Sequence, residues 1–171
     1  MESFDKLKSI FMKFPTVGQR SASRFVYHVI KLPKEKVAEL VNAINELSAK
    51  VKLCQMCFNP FEGTENICSI CSSSQRNKNF LCVVEKEADL QSIENTKKFL
   101  GVYFILGGTV STFRKEDLAH LRIEQLKKRV ANGNFTEIIL ALNPTPEGRA
   151  TSMLVEREIK DLAKGAKITH L

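Results

Sequence analysis

The chain has 171 residues, 43% of them apolar, and a formal net charge of +7. That length supports one modest core with an appended module. No run approaches the 18 or more apolar residues that a bilayer-spanning helix needs. The charge is uneven: residues 1–53 hold ten Lys/Arg against five Asp/Glu, and residues 54–171 hold 16 against 14. An excess concentrated in the first third suggests a polyanionic partner there, with ordinary solubilising charge as the alternative.

Phe4, Leu7, Ile10, Phe11 and Phe14 recur at helical spacing, with lysines at 6, 8 and 13 between them. Pro15 and Gly18 break the pattern. A second stripe of Ala22, Phe25, Val26, Val29 and Ile30 then runs to Pro33, so PTVG joins two short helices in a hairpin. The amides of such a turn and of the following first turn point outward and can hold a phosphate. Arg20 and Arg24 lie four apart, on one face immediately after the turn. They would position a nucleic-acid backbone and read no base sequence. The alternative is a plain hairpin with solvated arginines. A third helix is expected over 34–51, with Val37, Leu40, Val41, Ile44, Leu47 and Val51 as its stripe and Lys50 and Lys52 adding to a basic surface.

Residues 54–71 read CQMCFNPFEGTENICSIC, two Cys-x2-Cys pairs separated by ten residues. Each pair forms a tight knuckle, and two knuckles face to face bring four thiolates around one ion at about 2.3 Å each. Cys54, Cys57, Cys68 and Cys71 are therefore expected to hold one structural Zn2+, with an iron–sulfur cluster as the minor reading. All-cysteine ligation leaves no position for water, so this metal holds structure and does not catalyse. The start MESFDKLK is too charged for a signal peptide and the count of five cysteines is odd, so disulfides are not expected and the chain is expected to be cytoplasmic. Cys82, in the apolar run FLCVVE, is expected to be a buried structural thiol.

After Cys71 comes the polar run SSSQRNKN, in which Arg76 could bridge to the next domain or to phosphate. FLCVVE (80–85), VYFILGG (102–108) and FTEIILAL (135–142) read as buried strands. Helical patterns alternate with them: Leu90 and Ile93 inside with Glu94 outward, then Leu118, Leu121, Leu126 and Val130 within 116–131. A long helix over 147–163 follows, with Ala150, Met153, Leu154, Ile159 and Leu162 inward. The order implies an α/β domain with a mainly parallel sheet, and AKITHL as a further edge strand or its beginning. Ligands of such sheets gather at the strands' carboxyl ends, where Glu85, Gly107-Gly108 and NPTPEGR (143–149) converge. Divalent-metal phosphoryl chemistry wants two or three carboxylates there. Glu85 and Glu147 alone, with neutral Asn143 and Thr145 and cationic Arg149, are a thin set.

The order of parts resembles the RecR family of bacterial recombination mediators over essentially the whole chain. The family's helix-hairpin-helix signature is matched by FPTVGQRSASRFVYHVI (14–30), and its zinc motif by the cysteine tetrad with Arg76 as the arginine that follows. Its Toprim domain is matched by CVVE (82–85), YFILGG (103–108) and ALNPTPEGRAT (141–151). Three departures stand out. Thr16 occupies a hairpin position where the family usually has glycine, Arg149 stands where relatives commonly keep an acidic residue, and a further C-terminal segment of relatives is not matched after ITHL. Asn143 and Thr145 stand where catalytic Toprim enzymes carry aspartates, a loss the family shares.

The resemblance implies three parts: residues 1–53 as helix-hairpin-helix and connecting helix, 54–78 as zinc module, and 79–171 as an incomplete Toprim-like domain. It implies a non-enzymatic DNA-binding mediator of recombinational repair at gaps or junctions, acting with RecO and RecF to help load RecA. Arg20 and Arg24, with Lys13 and Lys31 as weaker contributors, would grip DNA. Zinc would fix the angle between hairpin and Toprim domain, and Glu85, Glu147 and Asn143 would form a partner surface. A homo-oligomer is expected, weakened by the unmatched segment. The alternatives are a Toprim nuclease or phosphotransferase using Glu85 and Glu147, and a pure protein-interaction adaptor.

Overall fold

A computed structural model describes residues 1–110 and 118–171; the first two residues of the helix expected over 116–131 lie outside them. The chain divides into two units, Met1–Lys50 and Val51–Leu171.

The first unit is three helices, α1 (Glu2–Phe11), α2 (Gln19–Lys31) and α3 (Lys34–Lys50). Pro33 immediately precedes α3, where its fixed φ suits a helix start. Helices α1 and α2 meet through aromatic pairs, with the Phe11 and Phe25 rings edge to face 5.6 Å apart and Phe4 and Tyr27 tilted against each other at 5.1 Å. Only Ala22 and Val26 of this unit are fully buried. Phe14 lies past the end of α1 in the turn and is exposed, so it extends no helical stripe. The stripe of α3 is exposed too: Leu40, Val41, Ile44 and Leu47 have no cover within the unit. Val51, expected on that stripe, instead opens the first strand.

The second unit begins with an antiparallel hairpin, β1 (Val51–Leu53) and β2 (Pro60–Glu62), and a one-turn helix, α4 (Ser69–Ser72). A four-stranded, wholly parallel sheet follows: β3 (Phe80–Val84), β4 (Val102–Ile105), β5 (Glu137–Ala141) and β6 (Lys167–His170), in the order β4-β3-β5-β6. The connecting helices are α5 (Glu87–Asn95), α6 (Ile123–Asn132) and α7 (Pro146–Ile159), the last extended by a 3-10 turn, Lys160–Leu162.

Alternation along the strands splits the core in two. Leu81, Val83, Phe104, Ile138 and Leu140 pack under α6 and α7 with Leu126, Val130, Leu154, Val155 and Ile159. Cys82, Val84, Tyr103 and Ile105 face the other way and join Leu90 of α5 and the four cysteines of the knuckles in one cluster. Burial pushes the Cys82 thiol up to about 12, so it is an inert apolar filler.

Two expectations fail here. Met153, assigned to the buried stripe of α7, is 71% exposed. Glu94, assigned outward, is largely covered, because Arg76 arrives from the preceding loop and closes over it with a bidentate ion pair.

Candidate functional site

The four cysteines come together. Cys54, Cys57, Cys68 and Cys71 are all buried, and their sulfurs lie within 4.8 Å of one another. Tetrahedral zinc with 2.3 Å bonds requires sulfurs about 3.8 Å apart, so the cluster fits one ion with little adjustment. Two backbone amides already point at sulfur: Cys68 N–H donates to Cys54 Sγ at 3.3 Å, and Asn59 N–H to Cys57 Sγ at 3.5 Å. Such donors favour thiolate over thiol. Charge on the sulfurs is interdependent. Hydrogen bonding with Cys57 and then Cys71 holds Cys68 down, while hydrogen bonding with Cys68 and then Cys71 pushes Cys57 up. Four ionised sulfurs in one buried place require a cation at their centre.

The first knuckle also caps the sheet edge. Cys57 O accepts from Ile105 N–H of β4 at 2.9 Å, and Met56 O accepts from Arg129 of α6. Phe58 takes the left-handed conformation, φ 63°, which swings its ring onto Phe104 at 5.3 Å and under the Arg122 guanidinium at 4.9 Å. The metal-binding turn and the sheet core are therefore one packed body.

Arg76 is a bridge. Beyond its pair with Glu94 it donates to Phe99 O at 3.2 Å and Gly101 O at 3.4 Å, and Tyr103 OH donates to Glu94 Oε1 at 2.6 Å. The Arg76 guanidinium holds the Glu94 carboxyl below the usual carboxylate range.

At the carboxyl ends of the strands, the three expected segments do converge. Gly107 N–H donates to Glu85 O at 2.9 Å, with Gly107 at φ 102°, a conformation that suits glycine. Asn143 Nδ2 donates to Glu85 Oε2 at 2.6 Å, and Lys86 Nζ lies 2.9 Å from Glu85 Oε1. Thr145 caps α7 by accepting from Gly148 N–H at 3.0 Å, with Pro146 at the first helical position. A Cβ on Gly148 would lie 1.9 Å from Asn143 O, so glycine is what lets the turn close. Glu147 is exposed in the first turn of α7, and Arg149 donates back to Pro144 O at 3.0 Å. Both Glu85 oxygens are engaged by protein cations or amides. Among the described residues, the cysteine tetrad is the one group of three or more ligand side chains close enough to share an ion.

In the first unit, Gly18 precedes α2 with open space around it, and Arg20 and Arg24 project from exposed positions. At about 100° per residue, Arg20, Arg24 and Lys31 share one face, opposite the buried Ala22 and Val26. Helix α2 contains no Asp or Glu. Tyr27, 55% exposed, stands on the same face; its spacing of seven from Arg20 was the signal that could have marked it. Lys13 is exposed in the turn before α2. None of these four cations is paired with a carboxylate among the described residues. Lys50 and Lys52 are occupied locally, Lys50 with Glu46 at 3.1 Å and Lys52 donating to Thr64 O at 2.9 Å. Thr16 sits at φ 63° between Pro15 and a Val17 N–H that donates to Phe14 O, the pattern of a type II turn, whose third position favours glycine.

A basic helical hairpin, a four-cysteine cluster and a parallel sheet with a carboxylate at its switch point define an α/β architecture with an appended metal module. Residues 4–47 match the family model described as RecR, helix-hairpin-helix, and residues 79–171 match the Toprim domain. The protein named Recombination protein RecR of Clostridium perfringens is 37% identical over 169 residues, covering 99% of this chain and 83% of its own. Those of Rubrobacter xylanophilus and Cutibacterium acnes are 37% and 36% identical, covering 94% and 93% of this chain and 79% and 77% of theirs. The chain belongs to the RecR family. No helix among the described residues is long and apolar enough to cross a membrane.

Proposed function

We propose that this protein is a non-enzymatic, DNA-binding mediator of recombinational repair in the cytoplasm. The observation that carries the reading is the carboxylate-free face of α2, where Arg20 and Arg24 follow the open turn at Gly18 and Lys31 continues their face at the far end of the helix. Guanidiniums next to unpaired first-turn amides grip phosphates whatever the base sequence. Lys13 adds weaker attraction from the turn. Residues 1–53 carry this contact, residues 54–78 the metal module and residues 79–171 the Toprim-like domain.

The metal is Zn2+, one per chain. Four buried thiolates with no open position suit its closed tetrahedral preference and leave it a structural role. The Glu85–Asn143–Lys86 arrangement supports the absence of phosphoryl chemistry, because a carboxylate held by its own neighbours is a poor ligand for Mg2+. The same surface, with Glu147, serves as a docking face for RecO or RecF, which with this protein help RecA onto single strands at gaps and junctions. The exposed apolar rows of α3 support self-association, since bare leucine and isoleucine along a helix favour burial against another copy. Incubation of the zinc-loaded protein with gapped DNA, followed by mass measurement in solution, tests binding and assembly together. A monomer that leaves gapped DNA unbound at low salt contradicts the proposal.

A further inference from the structure

A cavity of about 730 Å3 lies in the second unit between the knuckles, the start of β4 and α6. Its apolar floor includes the partly exposed Phe58 and Phe135, with Phe104 itself fully buried against Phe58, and its cations are Lys78, Lys128 and Arg129. Among the described residues, no carboxylate lines it. Lys78 and Lys128 have no salt-bridge partner among the described residues. The Arg129 guanidinium donates from Nη1 to Met56 O, while its buried Nε finds no acceptor there. Two unpaired lysines and an arginine beside an aromatic floor are matched to a ligand that is anionic at one end and flat and apolar at the other. The amides of Asn79, Gln125 and Asn132 also line the wall. Each supplies both donor and acceptor, as the polar edge of a base requires. Aromatic faces accept any base by stacking, and the size falls in the range of pockets that enclose small ligands.

We propose that this cavity binds a nucleoside phosphate, with the phosphate at Lys78, Lys128 and Arg129 and the base over the phenylalanine floor. The ligand is a free nucleotide or the phosphorylated end of a single strand; the chemistry is the same. Helix α2 plays no part in this site, so the site stands or falls separately from the backbone grip of Arg20 and Arg24.

The test is calorimetric titration of the full, zinc-loaded chain with dAMP, with a single-stranded hexanucleotide bearing or lacking a 5′ phosphate, and with inorganic phosphate. Wild type should bind dAMP or the phosphorylated hexamer saturably. Lys78→Ala/Lys128→Ala, which removes two solvent-facing charges and should fold normally, should weaken that binding at least tenfold. Arg20→Ala/Arg24→Ala should leave dAMP binding unchanged. Binding of dAMP identifies a free nucleotide as a ligand, and binding of only the phosphorylated hexamer identifies a strand end. Equal affinity for inorganic phosphate, equal competition by a poly-glutamate peptide, no binding of either nucleoside phosphate, or affinities unmoved in the lysine variant would each overturn the proposal.

Discussion

Asn143, just past β5, donates to Glu85, just past β3, across 2.6 Å. Strands β3 and β5 are neighbours whose connections leave in opposite directions, so this bond spans the crevice where parallel sheets usually take ligands. An amide there neutralises nothing and leaves Glu85 as a structural acceptor. Asn143→Asp should set two carboxylates against each other. The expected cost is about 1–3 kcal/mol of stability from the lost buried hydrogen bond, smaller under acid conditions because a shared proton restores a donor between the oxygens. Thermal melts at several pH values check this, and a pH-independent loss would contradict it. Wild type and Glu85→Gln should both leave DNA uncut in Mg2+ or Mn2+.

Replacing Cys68 by Ala should release the metal and loosen the second unit as a whole, because the cysteines share a core with Tyr103 and Ile105. Elemental analysis of wild type should give near one zinc per chain, and a chelator should lower the melting temperature. A metal-free protein of full stability would refute the structural role.

Arg76→Ala should destabilise by roughly 2–3 kcal/mol, since it strands Glu94 and Tyr103 in a partly buried place. Arg76→Lys should recover only part of this, because a single ammonium cannot reproduce the two-pronged contact. Glu94 is held below its ordinary value, so this stability is fully present above the unfolded carboxylate pKa of about 4.3 and is lost as pH falls through the depressed folded value. Denaturant titrations between neutral and acid pH should therefore show a shallower acid loss in Arg76→Ala than in wild type. DNA binding should not change.

The sheet was legible because β3 and β4 are short unbroken apolar runs, which only burial on both faces tolerates, and because β5 carries the apolar run Ile138–Ala141 although it alternates buried with partly exposed positions. The tetrad was legible from spacing alone. Glu94 was not, because helical periodicity places it outward and cannot know that Arg76, eighteen positions earlier, folds back over it. Met153 failed for the related reason that an apolar residue at the right spacing can still sit beyond the edge of its neighbours' cover. The hairpin β1–β2 and the helix α4 are three or four residues long, too short for periodicity to register. The cavity was invisible for a different reason: its walls come from positions as far apart as Gln55 and Phe135.

Thr16 is a β-branched residue in the left-handed region, which costs of order 1–3 kcal/mol. Its hydroxyl donates to Pro15 O at 2.6 Å, a local contact that offsets part of the strain. Thr16→Gly should stabilise the hairpin by about 1 kcal/mol, the relief of strain less the greater freedom of unfolded glycine. Chemical denaturation followed at Tyr27, which packs on Phe4 in this unit, reads the change directly. A destabilised hairpin would show that the turn is not strained.

Phosphate binding along α2 is read most sharply by a salt titration. Binding of wild type and Arg20→Ala/Arg24→Ala to gapped, duplex and single-stranded DNA should be followed across ionic strength. The logarithm of affinity should fall linearly with the logarithm of salt, and each lost phosphate contact should reduce the slope by roughly 0.7 on single strands or 0.9 on duplex. The double variant should weaken binding about equally for unrelated sequences, because phosphate contacts carry no base code. Affinity and slope unchanged in the double variant would rule out phosphate contact by Arg20 and Arg24.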